Sequence, residues 1–178
     1  NHFSDQLSND VKQYLINLSK KVNFQKIRKI FDQVKNSRVL IIGDTIIDKY
    51  IFTKAMGRSP KEQLITVKDE KQEIYGGGIV ATANHISSFV RNSTLLTVLS
   101  NNKNENKKVI KFINKKINKI FFYHKNLSNL IKTRYLDSSS NQKLFQTANW
   151  GISTIDKKVE KKILNYLKKN IKNFDHVI

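Results

Sequence analysis

Apolar positions over residues 8–35 recur at helical spacing. Val11, Tyr14/Leu15, Leu18 and Val22 form one series, and Phe24, Ile27, Ile30/Phe31 and Val34 a second. They predict two helices with a turn near Val22-Asn23, carrying Lys on their outer faces in the manner of a helical connector. The pattern changes at Arg38, where a short β-branched run closed by Gly43 predicts a buried parallel strand feeding a loop. Between Lys49 and Tyr75 partial alternation, interrupted by Gly57-Arg58-Ser59-Pro60, predicts two or three exposed strands. Gly76-Gly77-Gly78 then opens the Ala-rich, apolar segment 79–90, a buried helix, and residues 94–99 read as a second core strand.

Residues 104–118 are expected to form an amphipathic helix with Val109/Ile110, Ile113 and Ile117 on one face. A strand over 120–123 follows. Residues 131–136 and 143–147 read as a hairpin joined by Asp137-Ser-Ser-Ser-Asn141. A long helix is expected over 155–171, with Val159, Ile163, Leu167 and Ile171 inward, and residues 174–178 begin another strand. An apolar strand at the last residue suggests a sequence that continues beyond Ile178. The order of elements predicts the α/β class: a mostly parallel sheet flanked by helices, with the strands at 49–75 and 131–147 added to it. Ligands in such sheets sit beyond the carboxyl ends of the strands.

Composition narrows the function. The 178 residues include 39% hydrophobic and 10% aromatic positions, enough for a core. There is no cysteine, which excludes disulfides, a thiolate nucleophile and Cys-ligated zinc. No apolar run approaches a membrane span and the first residues do not resemble a signal peptide, so a soluble cytoplasmic protein without a membrane partner is expected. The 33 Lys+Arg against 14 Asp+Glu give +19, yet only Arg28, Arg38, Arg58, Arg91 and Arg134 are Arg. The excess is Lys, accompanied by Asn and Ile, and it falls on expected helix exteriors such as Lys157, Lys158, Lys161 and Lys162. That pattern favours a solvated surface over a specific nucleic-acid site, which would use Arg and interleaved aromatics.

Two clusters carry candidate chemistry. Gly43-Asp44-Thr-Ile-Ile-Asp48 follows the first core strand; its carboxylates accept hydrogen bonds from sugar hydroxyls, cap the turn or, a weaker reading without a further Glu or His nearby, bind a metal. Gly76-Gly77-Gly78 before a helix allows close backbone approach and presents N–H groups, although it fits neither the Walker nor the G-x-G-x-x-G pattern. His2, His85, His124 and His176 show no metal spacing, and no metal site is expected. Trp150 and Phe145 are expected to pack beside the hairpin, and Ser138-Ser139-Ser140 to form its turn.

In order along the chain, Gly43-Asp44-x-x-x-Asp48-Lys-Tyr50, Ser59-Pro60-Lys61-Glu62, Gly77-Gly78 with Ala83-Asn84-His85-Ile86, and Lys132-Thr133-Arg134 resemble the amino-terminal half of the PfkB (ribokinase-like) carbohydrate kinases. Within that family they are most similar to the heptose-phosphate kinases of ADP-heptose synthesis. The resemblance covers about residues 38–178 and implies a ribokinase-like fold with a small β lid at about 49–75 and 131–147. It implies transfer of the ATP γ-phosphate, with Mg²⁺, to a hydroxyl of a sugar or sugar phosphate. Asp48 would bind sugar hydroxyls, Gly77 and Gly78 would lie against the sugar, and Arg134 would meet an anionic group; Asp44 and Asn84 are further substrate-binding candidates. Ala81 stands where the family commonly has Asn, a role that Asn84 or His85 would assume. The family's Gly-x-Gly-Asp motif, with its catalytic Asp and most of the ATP site, is expected beyond Ile178, so the fragment itself is expected to be inactive. Residues 1–37 resemble the connector to a fused nucleotidyltransferase domain, or form an ordinary helical extension. The lid is a candidate homodimer surface. Two other readings are a non-catalytic sugar-binding or regulatory module and, resting on charge alone, a basic nucleic-acid-binding protein.

Overall fold

The computed structural model describes residues 7–59, 61–125, 128–149 and 154–178. Expectations that fall on His2, Pro60, Trp150 and Gly151 lie outside the described residues. The chain divides into two compact units, residues 1–36 and 37–178.

The first unit holds two helices, α1 (Asn9–Lys21) and α2 (Phe24–Val34), parted at Val22-Asn23 as the apolar spacing predicts. Asn23 caps α2 by accepting from Lys26 N at 2.8 Å.

The second unit contains two sheets rather than one extended sheet. The first is wholly parallel, with strands β1 (Arg38–Ile42), β4 (Asn92–Ser100), β5 (Asn118–His124) and β8 (His176–Val177) in the order β5-β4-β1-β8. Its central strands are rich in apolar residues because both faces are covered: Leu40, Ile41, Leu95, Leu96 and Leu99 are almost fully buried. Arg38 ties β1 to the chain end through a paired contact with Asp175. α3 (Ile79–Phe89) supplies Val80 and Ala83 to this core. α5 (Lys157–Asn170) supplies Val159, while its lysines point to solvent.

The second sheet is made by β2 (Thr45–Arg58), β3 (Ile65–Gly78), β6 (Leu130–Asp137) and β7 (Lys143–Ala148), in the order β3-β2-β6-β7. These are the strands expected as additions to the parallel sheet. They form a separate sheet because β2 starts two residues after β1 and pairs antiparallel with β3 and parallel with β6. Alternation along β2 puts Ile47, Ile51 and Thr53 on a buried face, and Asp48, Tyr50 and Phe52 on the other.

Two helix boundaries differ from expectation. α4 covers only Lys103–Ile110; the chain then turns, with Ile117 N bonded to Asn114 O. Ile113 and Ile117 are nevertheless buried, so the apolar spacing that imitated a continuing helix belongs to a tight turn. α5 gives way to a 3-10 turn at Ile171–Asn173, which leaves Ile171 exposed.

Candidate functional site

A cavity of about 540 Å³ opens on the polar face of the second sheet, against the start of α3. β2 contributes Asp48, Tyr50 and Phe52, β3 contributes Glu73, Tyr75 and the three glycines, and α3 contributes Ala81; Leu136 and Asn141 complete the wall. Strand register explains the grouping. Asp48 faces Tyr75 across the β2–β3 pair, and Tyr50 faces Arg134 across the β2–β6 pair. Residues directly opposite share a face, so four side chains from three strands converge.

Asp48 lies within β2 rather than at the end of β1. Its carboxylate passes over Gly77, where a Cβ would collide with Oδ2 and stand 2.8 Å from Cγ. Absence of a side chain at Gly77 is thus what allows Asp48 to face the cavity. Gly78 has φ +54° and ψ −132°, a conformation that L side chains rarely adopt, and a Cβ there would sit 2.7 Å from Asp44 O. The glycine run is therefore two devices: clearance for a carboxylate at Gly77 and a sharp entry into α3 at Gly78.

Arg134 donates from Nη1 to Asp48 Oδ1 and lies 3.4 Å from the Tyr50 hydroxyl. Its guanidinium also stands 5.3 Å from the centre of the Tyr50 ring. Both members of the ion pair are about one-fifth exposed. Its hydrogen bond to Asp48 raises the Arg134 pKa further. The Tyr50 and Tyr75 rings meet edge to face at 5.8 Å. Tyr75 donates to Glu73 Oε2 at 2.6 Å, and Glu73 is paired in turn with Lys71. Those two contacts, Lys71 first, hold the Glu73 carboxyl below its ordinary range.

Of the residues nominated from the sequence, Asp48, Gly77 and Gly78 line this cavity, and Arg134 reaches it by binding Asp48. Two do not fit. Asp44 is exposed and outside the wall; its backbone carbonyl accepts from Ile79 N at 3.1 Å and so closes the first turn of α3. Asn84 has both ends of its amide committed to the α4–β5 turn, donating to Phe112 O at 2.7 Å and accepting from Asn114 N at 2.9 Å. These two bonds clamp that turn to α3. His85 is exposed, outside the cavity wall, and packs on Phe89 with ring centres 4.9 Å apart. Ala81 itself lines the cavity.

Tyr75, Glu73 and Asn141 were not singled out from the sequence. Period-2 spacing of Glu73, Tyr75 and Gly77 on β3 was the available signal. Elsewhere, Phe145 stacks on Tyr135 at 4.4 Å, and Asp137 gathers the serine turn through Ser139 and Ser140. His124 is buried, with Nε2 3.2 Å from Asp156 Oδ2.

A carboxylate beside a bare backbone strand and two aromatic rings suits a polyhydroxylated ligand: the acceptor takes hydroxyl hydrogen bonds and the rings take apolar C–H faces. Among the described residues no three His, Asp or Glu side chains gather to hold a metal ion. No helix among them is long and apolar enough to cross a membrane.

No family model matches the sequence. Over 141 residues the chain is 26% identical to the bifunctional protein HldE of a Nitratiruptor species, covering 79% of this chain and 30% of that protein. A candidate phosphofructokinase structure from Staphylococcus aureus matches with a TM-score of 0.56 and 16% identity, over 73% of this chain and 39% of its own. Phosphofructokinase-2 from Escherichia coli, in complex with fructose-6-phosphate, matches with a TM-score of 0.52 and 11% identity, over 72% and 42%. The chain thus spans 30% of the curated relative and about two-fifths of these structures. The fold is that of the ribokinase-like sugar kinases, and the resemblance to a PfkB-like kinase read from the motifs agrees with these comparisons.

Proposed function

We propose that this chain is the sugar-binding part of a PfkB-type carbohydrate kinase that transfers the ATP γ-phosphate to a hydroxyl of a sugar or sugar phosphate. The observation that carries the proposal is the Asp48 carboxylate lying over Gly77 on the wall of the cavity. In this reading Asp48 accepts hydrogen bonds from sugar hydroxyls, and its contact with Arg134 keeps it aimed. Asp48 and Tyr50 engage one guanidinium nitrogen, and the group has five donors, so Arg134 is also placed to meet a phosphate on the substrate. A heptose phosphate as acceptor is the finer reading, supported by the motifs and by the similarity to HldE. Residues 1–37 then serve as the connector to a second domain, residues 38–178 as kinase, and the second sheet as a lid that is a candidate homodimer surface. A cytoplasmic location belongs to the same reading.

ATP and Mg²⁺ enter as cofactors of the whole enzyme. Among the described residues no metal-binding cluster gathers, and the carbonyl of Asp44 in the Gly43-Asp44 pair accepts from Ile79 N at the start of α3. No step of phosphoryl transfer is assigned to them.

The test is an ATP-coupled assay of the natural full-length product against hexose and heptose phosphates. Wild type is expected to release ADP in a sugar-dependent way, and Asp48→Ala to raise the sugar KM strongly or abolish turnover. Unchanged kcat and KM in Asp48→Ala overturns the assignment. Sugar binding without ATP turnover by that product favours the second reading, a sugar-binding or regulatory module.

A further inference from the structure

Tyr75 lies directly opposite Asp48 on the antiparallel β2–β3 pair, so ring and carboxylate stand side by side on one face. The ring is half exposed (50%) and lies on the cavity wall. Its position is fixed from two directions. Glu73 holds the hydroxyl and is itself paired with Lys71, while the Tyr50 ring meets Tyr75 edge to face. Tyr50 is engaged by the Arg134 guanidinium and so is less available to a ligand. An exposed, tethered aromatic beside a hydrogen-bond acceptor matches the two-sided chemistry of a cyclic sugar, which has an apolar C–H face and a hydroxyl rim.

Building on the sugar-site reading above, we infer that Tyr75 is the platform on which the ligand's ring stacks, with the hydroxyl rim directed at Asp48, and that it selects ring-form sugars over open-chain polyols. An alditol chain presents no flat C–H face to the ring, so it gains little from Tyr75. The Glu73 and Lys71 contacts act through Tyr75 and position it.

Titrations of the full chain with glucose 6-phosphate, mannose 6-phosphate, fructose 6-phosphate, a heptose 7-phosphate and the open-chain glucitol 6-phosphate test this. Tyr75→Leu is expected to weaken the best ring-form ligand about tenfold, Tyr75→Phe less than about threefold, and neither to change glucitol 6-phosphate binding. Nuclear Overhauser contacts between the Tyr75 ring protons and ligand C–H protons in wild type give a readout that needs no variant. Equal affinity of Tyr75→Leu and wild type for a ring-form ligand, or no such contacts in a wild-type complex, overturns the role of Tyr75 and leaves the sugar site standing. A folded wild type that binds none of the panel overturns the sugar-site reading and this inference with it.

Discussion

Gly77→Ala isolates the contact on which the site depends. Gly77 is not in a positive-φ conformation, so alanine adds no backbone strain, and lower chain entropy in the unfolded state slightly favours it. The cost arises elsewhere: the new Cβ collides with Asp48 Oδ2 and stands 2.8 Å from Cγ, so the carboxylate must swing away. Moving it breaks the contact with Arg134, whose side chain, like that of Asp48, is only one-fifth exposed. Overpacking costs about 1–3 kcal/mol and a hydrogen bond to a charged group roughly 1.5–3, so with some relaxation a net loss of about 2 kcal/mol is expected. At a urea slope of roughly 2 kcal/mol/M, that lowers the midpoint by about 1 M. In an Asp48→Ala background the nearest remaining atom is Cβ at 3.6 Å, an ordinary contact, and the same substitution should cost less than about 0.5 kcal/mol. Urea unfolding of the four chains of this cycle, with sugar-phosphate titration alongside, is the assay. Equal destabilisation in both backgrounds refutes the reasoning.

Other outcomes follow from the same geometry. Asn84→Ala should destabilise the chain by about 1–3 kcal/mol, because it strips the α4–β5 turn of two hydrogen bonds, while sugar affinity stays within about twofold; thermal unfolding and titration check both. Gly78→Ala should cost about 1–3 kcal/mol in urea unfolding through its φ of +54° and its approach to Asp44 O. Ser139 and then Ser140 hold the Asp137 carboxyl down at about 2, against an ordinary 3.8. Because the folded value is the lower one, the contribution of Asp137 is complete above about pH 4 and fades as pH falls through 2. Asp137→Asn should therefore flatten that part of the acid-unfolding curve, read by circular dichroism between about pH 5 and 2.

The sequence carried the architecture where local pattern and tertiary environment agree. Val39–Ile42 is an unbroken apolar run and Thr94–Leu99 is mostly apolar because both faces of the parallel sheet are covered, and the hairpin at Asp137–Asn141 announced itself by turn chemistry. Where the two diverge, pattern misleads. Ile113 and Ile117 keep helical spacing, yet a turn clamped by Asn84, some 30 residues earlier, buries them. The second sheet could not be separated from the first by alternation alone, since the parallel pairing of β2 with β6 joins segments about 85 residues apart. Asp48 and Gly77 were legible as motif members, but their mutual contact depends on strand register. Tyr75 and Glu73 looked like ordinary strand residues until the β2–β3 register set Tyr75 opposite Asp48.

In the proposed site, Asp48 accepts the hydroxyls of a sugar in the cavity over Gly77. Calorimetric titration of the full chain and of Asp48→Ala with hexose and heptose phosphates tests it most directly. Saturable binding by wild type is expected, with a loss of at least about tenfold in Asp48→Ala and circular dichroism unchanged. Equal affinity in the two chains, or no binding by a folded wild type, contradicts it.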